Sequence, residues 1–172
     1  MRATFRLLTL GSLAAAAAGP ATAADLVLQL DLPKQSVAEY HRPYVAVWLE
    51  RADQSPVGTL AVWYETDRGE HGERYLKELR QWWRKIGREQ TFPIDGVSGP
   101  TRAAGPQRIS FKDGAGALAN LPAGDYALVV EAAREVGGRE TVRLPFAWPA
   151  RKGQTVRTAG TSELGAVSLT VR

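Results

Sequence analysis

The chain has no cysteine, which excludes disulfides, thiolate metal sites and a cysteine nucleophile. An oxidising compartment permits disulfides without requiring them. A packed core must therefore do the stabilising, and 44% hydrophobic residues are enough for one. Histidine is nearly as scarce. His41 and His71 are the only two, and neither stands at metal-ligand spacing from another histidine or a carboxylate cluster, which argues against zinc. A Ser-His-Asp triad would have to draw on one of them. Ser98 has glycines nearby, but Gly96-Val97-Ser98-Gly99-Pro100 lacks the final glycine of a nucleophile elbow. Gly114-Ala115-Gly116 is too short for a dinucleotide fingerprint and reads as a tight turn.

Long apolar runs are missing as well. The run from Leu7 to Ala18 falls short of the roughly 20 residues that span a bilayer. Its flanks are those of an export signal: Arg2 and Arg6 before it, Gly19-Pro20 and the small-residue site Ala21-Thr22-Ala23 behind it. We read residues 1–23 as a signal peptide cleaved before Ala24, giving a periplasmic protein that does not span the membrane. Residues 24–172 then form a single domain. Losing two arginines and no acid lowers the formal charge from +4 to +2, too small an excess to argue for nucleic acid or an anionic membrane.

What the chain does have is strand pattern. Leu26, Leu28, Leu30 and Leu32 alternate with Val27, Gln29 and Asp31, so one face is apolar. Pro43–Glu50 and Leu60–Glu65 are apolar on both faces, as central strands are. Ile109 and Phe111 mark a short strand. Asp125–Ala133, Arg139–Trp148 and the closing Val167, Leu169, Val171 complete the set. Some seven short strands between Gly/Pro turns predict a mainly β protein, an antiparallel immunoglobulin-like or prealbumin-like sandwich. One segment has helical period. Over about 73–89, Leu76, Leu79, Trp83 and Ile86 share a stripe flanked by Tyr75 and Trp82, while Arg74, Lys77, Arg80, Arg84, Lys85 and Arg88 face away. This predicts one amphipathic helix inserted in the sandwich, its basic face solvated. A sharper reading places Trp82, Trp83 and nearby arginines beside a planar anionic ligand.

The most informative stretch runs from Asp95 to Pro106, a Gly/Pro-rich loop with short polar side chains at Asp95, Ser98 and Thr101. Glycine lets a backbone approach a phosphate closely, and the polar side chains can bond locally to the backbone. Read blandly, it is a surface loop joining helix to strand.

Several segments taken in order resemble a family of predicted periplasmic proteins, domain of unknown function 2271 (DUF2271). They are His41–Trp48, the helix from Tyr75-Leu76 to Trp82-Trp83-Arg84, Asp95–Gly105, and Leu121-Pro122-Ala123-Gly124-Asp125-Tyr126 running into Glu131–Glu135. The resemblance implies association with PepSY-type membrane redox proteins and flavin transferases, hence a role in extracytoplasmic electron transfer.

Separately, Asp95-Gly96-Val97-Ser98-Gly99-Pro100-Thr101 resembles the acceptor motif of covalent flavinylation. That resemblance implies FMN held through a phosphoester on Thr101, with Asp95, Gly96, Ser98 and Gly99 read by an FAD:protein FMN transferase. Pro100 departs from the motif, which has alanine there, and proline restricts its own backbone and that of the residue before it. Trp82, Trp83 or Trp63 would stack on the isoalloxazine and Arg102 would meet the phosphate; as ordinary core or loop residues they need no such role. The expectation is a flavin-linked redox carrier rather than an enzyme with its own substrate. The alternative is a cofactor-free β-sandwich binding or interaction module.

Overall fold

Period-two alternation builds most of this chain, and the positions where it fails shape the rest. The structure is a computed structural model and describes residues 25–150 and 153–172. The export signal lies outside the described residues. Among the described residues nine strands form two sheets: β1 (Asp25–Leu32), β2 (Tyr44–Arg51), β3 (Pro56–Tyr64), β4 (Ser98–Pro100), β5 (Gly105–Lys112), β6 (Gly124–Ala133), β7 (Arg139–Trp148), β8 (Gln154–Ala159) and β9 (Ala166–Val171). The first sheet has the order β5-β1-β9-β8 and the second β4-β3-β2-β6-β7. The pairs are antiparallel except β3 with β4, which run parallel.

Between the sheets, Leu26, Leu28 and Leu30 of β1 and Leu169 of β9 belong to one buried cluster with Val45 and Val47 of β2, Leu128 and Val130 of β6, and Leu144 of β7. The opposite face of the second sheet is apolar too. Tyr44, Ala46, Trp48, Val62, Tyr64 and Val129 form a second cluster with Leu76, Leu79 and Trp82. The result is a β-sandwich with a third layer on one side, and this is why β2 is apolar on both faces.

That third layer corrects the expectation of one amphipathic helix over about 73–89. The chain instead forms α1 (Glu70–Glu73), a 3-10 turn at Leu76–Glu78, α2 (Arg80–Lys85) and another 3-10 turn at Gly87–Glu89. The break falls at Leu79, whose ψ of 68° is not helical. α2 restarts there because the Glu131 carboxylate accepts hydrogen bonds from the Gln81 amide at 3.1 Å and the Trp82 amide at 2.9 Å. Those amides belong to the first turn, where no carbonyl is available to them. Interrupting the helix turns Leu76, Leu79 and Trp82, three residues apart, onto the sheet together, and all are fully buried. Trp83 and Ile86 are left half-buried.

Two further carboxylates tie loops to the sandwich. Arg134 donates to both oxygens of Glu163, at 3.1 and 3.0 Å, and the Gly138 amide donates to the same carboxylate. Glu140 of β7 accepts from the amides of Thr161, Ser162 and Leu164 and from the Thr161 hydroxyl, fixing the β8–β9 turn. Burial opposes ionisation of Glu140, but the three amides and the hydroxyl outweigh it and bring its carboxyl down to about 2. The stability this contributes is fully present above the ordinary carboxylate range and is lost as pH falls from about 4.5 toward about 2. Glu140→Gln is therefore expected to lower stability at neutral pH and to flatten that acid limb. Urea unfolding across the pH window checks this, and a limb as steep as the parent's contradicts it.

Candidate functional site at Thr101

Local bonding places the Asp95–Thr101 segment. Ser98 Oγ accepts from the Ile94 amide at 2.9 Å, the Ser98 amide donates to the Ile94 carbonyl at 2.9 Å, and Gly96 takes a φ of +67°. The turn then delivers the chain to the edge of the second sheet. The Val62 amide donates to the Val97 carbonyl at 3.0 Å, Ser98–Pro100 pair with Val62–Tyr64, and the Thr101 amide donates to the Tyr64 carbonyl at 3.1 Å. The stretch expected as a surface loop thus contains a short edge strand.

Pro100 is compatible with that strand for a simple reason. The Thr101 amide points at β3, so alternation turns the Pro100 nitrogen to the free edge, where no donor is required. Asp95, Gly96 and Pro100 are exposed, whereas Ser98, Gly99 and Thr101 are half-buried. Burial raises the Tyr64 phenol above its usual value, against an opposing hydrogen bond with Ser98.

Thr101 and Pro100 border a cavity of about 340 Å³ whose other walls include Tyr40, His41, Arg42, Glu65 and Arg68. That volume lies within the usual range for small-molecule sites. Arg68 is paired with Glu65 at 3.3 Å, and His41 sits between Glu39 at 3.1 Å and Glu135 at 3.6 Å. Asp67 also faces the cavity, so its charges are mixed. Tyr44 of β2 donates its hydroxyl to the Gly72 carbonyl at 3.0 Å, and burial pushes its phenol up to about 12, which keeps it neutral. The cavity therefore draws on the chain before β2, the end of β3 and the end of β4.

The aromatic and basic residues singled out from sequence do not line this cavity. Trp82 is fully buried, donates Nε1–H to Thr59 Oγ1 at 2.9 Å and packs against Trp83 and Phe92, so it has no face free for a cofactor. Trp83 is stacked on Phe92 with ring centroids 6.2 Å apart. Trp63 is buried, and the Arg102 guanidinium lies 4.1 Å from the centre of its ring. That cation–π contact occupies both.

Sequence reading assigned no role in the site to Tyr40, Arg42 or Arg68, which meet Thr101 only through the fold. Among the buried acids it also missed Glu50 and Glu131. Glu50 accepts from Trp48 Nε1–H at 2.9 Å and Lys85 Nζ at 2.7 Å, with Arg143 at 3.4 Å. Burial raises the Glu131 carboxyl, only partly offset by the Trp82 and Gln81 amides and by Arg139. A signal existed for both: each continues an apolar alternation, Glu50 after Tyr44, Ala46 and Trp48, and Glu131 between Val129 and Ala133.

The fold and this cavity define a β-sandwich with a covering helical layer and a small ligand-sized recess at one end of the second sheet. Among the described residues no helix is long and apolar enough to cross a membrane. The family described as "Predicted periplasmic protein (DUF2271)" matches residues 25–166, and the chain belongs to it. Comparison with curated proteins and with solved structures gave no match in either set.

Proposed function

We propose that this protein is a periplasmic accessory of a flavin-linked electron-transfer system and carries FMN covalently on Thr101. The observation that carries the reading is the position of Thr101, half-exposed at the border of a cavity of about 340 Å³ that also presents Arg42, Arg68 and the ring of Tyr40. A guanidinium pairs with a phosphoester, and an exposed phenol ring can lie against a flavin. These residues suit the group better than Trp82, Trp83 and Arg102, which are engaged in packing.

Attachment is the work of a separate FAD:protein FMN transferase. The Thr101 oxygen attacks the FMN-side phosphorus of FAD, a P–O bond forms, the pyrophosphate bond breaks, AMP leaves and the hydroxyl proton passes to a base of the transferase. Ser98–Pro100 adheres to β3 over only three paired residues, so the segment can be presented at low cost. Once attached, FMN supplies one- or two-electron chemistry, while the chain positions it and sets its electrostatics. A PepSY-type membrane redox protein is the proposed exchange partner.

The test is intact mass with in-gel flavin fluorescence, on protein exported by a host that also expresses a flavin transferase. The parent is expected to gain one FMN, mapped to Thr101, and Thr101→Ala to gain none. An unmodified parent, or flavin kept by Thr101→Ala under denaturing conditions, would sink the assignment. A colourless, unmodified protein would make the cofactor-free binding module the working reading.

A further inference from the structure

A recess away from Thr101, flanked by two arginines, lies on the outward face of the first sheet. Leu26, Leu28 and Leu30 of β1 point into the core, so Asp25, Val27, Gln29 and Asp31 point out. The pairing aligns Arg108 of β5, Gln29 of β1, Ser168 of β9 and Arg157 of β8 in one row across all four strands. With strands about 4.8 Å apart, the backbones of the two arginines are roughly 14 Å apart. Between them lies a groove of about 460 Å³, also bordered by Asp31 and Ala166. Its depth has a physical cause. Ser168 and Ala166 are small, while the two arginines are long and exposed, so a low floor runs between tall walls.

The charge of this face is unbalanced. Lys112 holds Asp25 at 2.8 Å, which removes one acid and one base. Among the described residues no carboxylate pairs with Arg108 or Arg157, and Asp31 is one row away, its carboxylate against Gly165. The row is completed by hydrogen-bonding groups, Gln29 and Ser168, with Thr155 and Thr170 in the next row. The outward positions of the four strands include no aromatic residue.

We infer that this groove binds a linear acidic oligosaccharide laid across the strands. Its carboxylates meet the guanidiniums of Arg108 and Arg157, and its ring hydroxyls exchange hydrogen bonds with Gln29 and Ser168. A guanidinium takes a carboxylate through two parallel bonds. A hydroxyl and amide floor suits a polyhydroxylated ligand. Extended peptides are gripped along a sheet edge, whereas this groove crosses the strands. Single-stranded nucleic acid needs aromatic platforms, which this face lacks. The site is independent of Thr101 and of any flavin.

The test is calorimetric titration of the full chain, purified after export, with a short oligogalacturonate as probe. Its methyl ester and poly-glutamate serve as comparison ligands. Oligogalacturonate is expected to bind, and the methyl ester to bind at least about tenfold more weakly, since esterification removes the charge that a guanidinium pairs with. The double variant Arg108→Ala/Arg157→Ala is expected to lose about tenfold or more, with an unchanged unfolding midpoint because both side chains are exposed. Arg108→Lys/Arg157→Lys should fall between, keeping charge but losing the paired bonds. Absence of binding, equal binding by the alanine variant, or poly-glutamate binding as tightly as the sugar acid would each overturn the inference.

Discussion

Glu131→Ala is expected to destabilise the protein by about 2–4 kcal/mol, since each buried amide left without an acceptor costs about 1–3 kcal/mol. The substitution strips the Gln81 and Trp82 amides of the carboxylate that starts α2, and Glu131 itself is completely buried. Arg139, 3.7 Å away and half-exposed, can turn to water and adds little. Glu131→Gln keeps an acceptor oxygen and should cost roughly half as much. The pH dependence gives a second check. Burial raises the Glu131 carboxyl, so its stabilising contribution is greatest below the ordinary carboxylate range and is lost as pH rises through its folded value. Glu140 has the opposite sign. The penalty of Glu131→Ala is therefore expected to grow as pH falls, while that of Glu140→Gln shrinks. Denaturant unfolding of both variants at neutral and acid pH measures this, and a common sign would contradict it.

Glu131 also shows where sequence stopped speaking. Strands with a clean apolar face were legible: β1, β2, β6, β7 and β9 fall within a residue or two of where the alternation puts them. β8 was not, because Val156 is its one core residue among Gln, Thr and Arg. β4 was hidden for another reason. Ser98-Gly99-Pro100 has no strand propensity, and what extends it is its ladder with β3. The helical period over 73–89 was real as a pattern of burial but wrong as a single element. A carboxylate fifty residues away decides where the helix restarts, and no local rule contains that information.

The site divides along the same line. Thr101 and its neighbours were visible as a motif because they are contiguous. Tyr40, Arg42 and Arg68 were not, since only the approach of the chain before β2 to the ends of β3 and β4 brings them together. The packing of Trp82 and the Arg102–Trp63 contact were not visible in sequence for the complementary reason. Aromatic and basic residues look like ligand groups until their burial and partners are known. The arginine row on the first sheet sits between these cases. Its members alternate correctly in sequence, but the register that aligns four strands is a property of the fold.

Trp82→Ala is expected to be the most damaging single change, at about 3–5 kcal/mol, the usual cost of removing a fully buried large aromatic side chain. Three contacts explain why the cavity cannot close. The indole packs against Trp83 and Phe92, themselves stacked on each other, and its Nε1–H is bound to Thr59 of β3. Gly87 is shaped to it: a β-carbon there would lie 2.7 Å from the ring, so the backbone already sits against the tryptophan. Losing the indole therefore undercuts the helical layer from the Leu79 break to the Gly87 turn and uncovers Trp48 and Val62. Trp82→Phe retains much of the packing and forfeits the bond to Thr59, at an expected cost of about 1–2 kcal/mol. The expected signature is a lower denaturant midpoint together with faster proteolysis within residues 70–90, ahead of global unfolding. If cleavage there tracks global unfolding instead, the layer and the sandwich are one cooperative unit, and Glu131 ties them more firmly than two hydrogen-bonded amides account for.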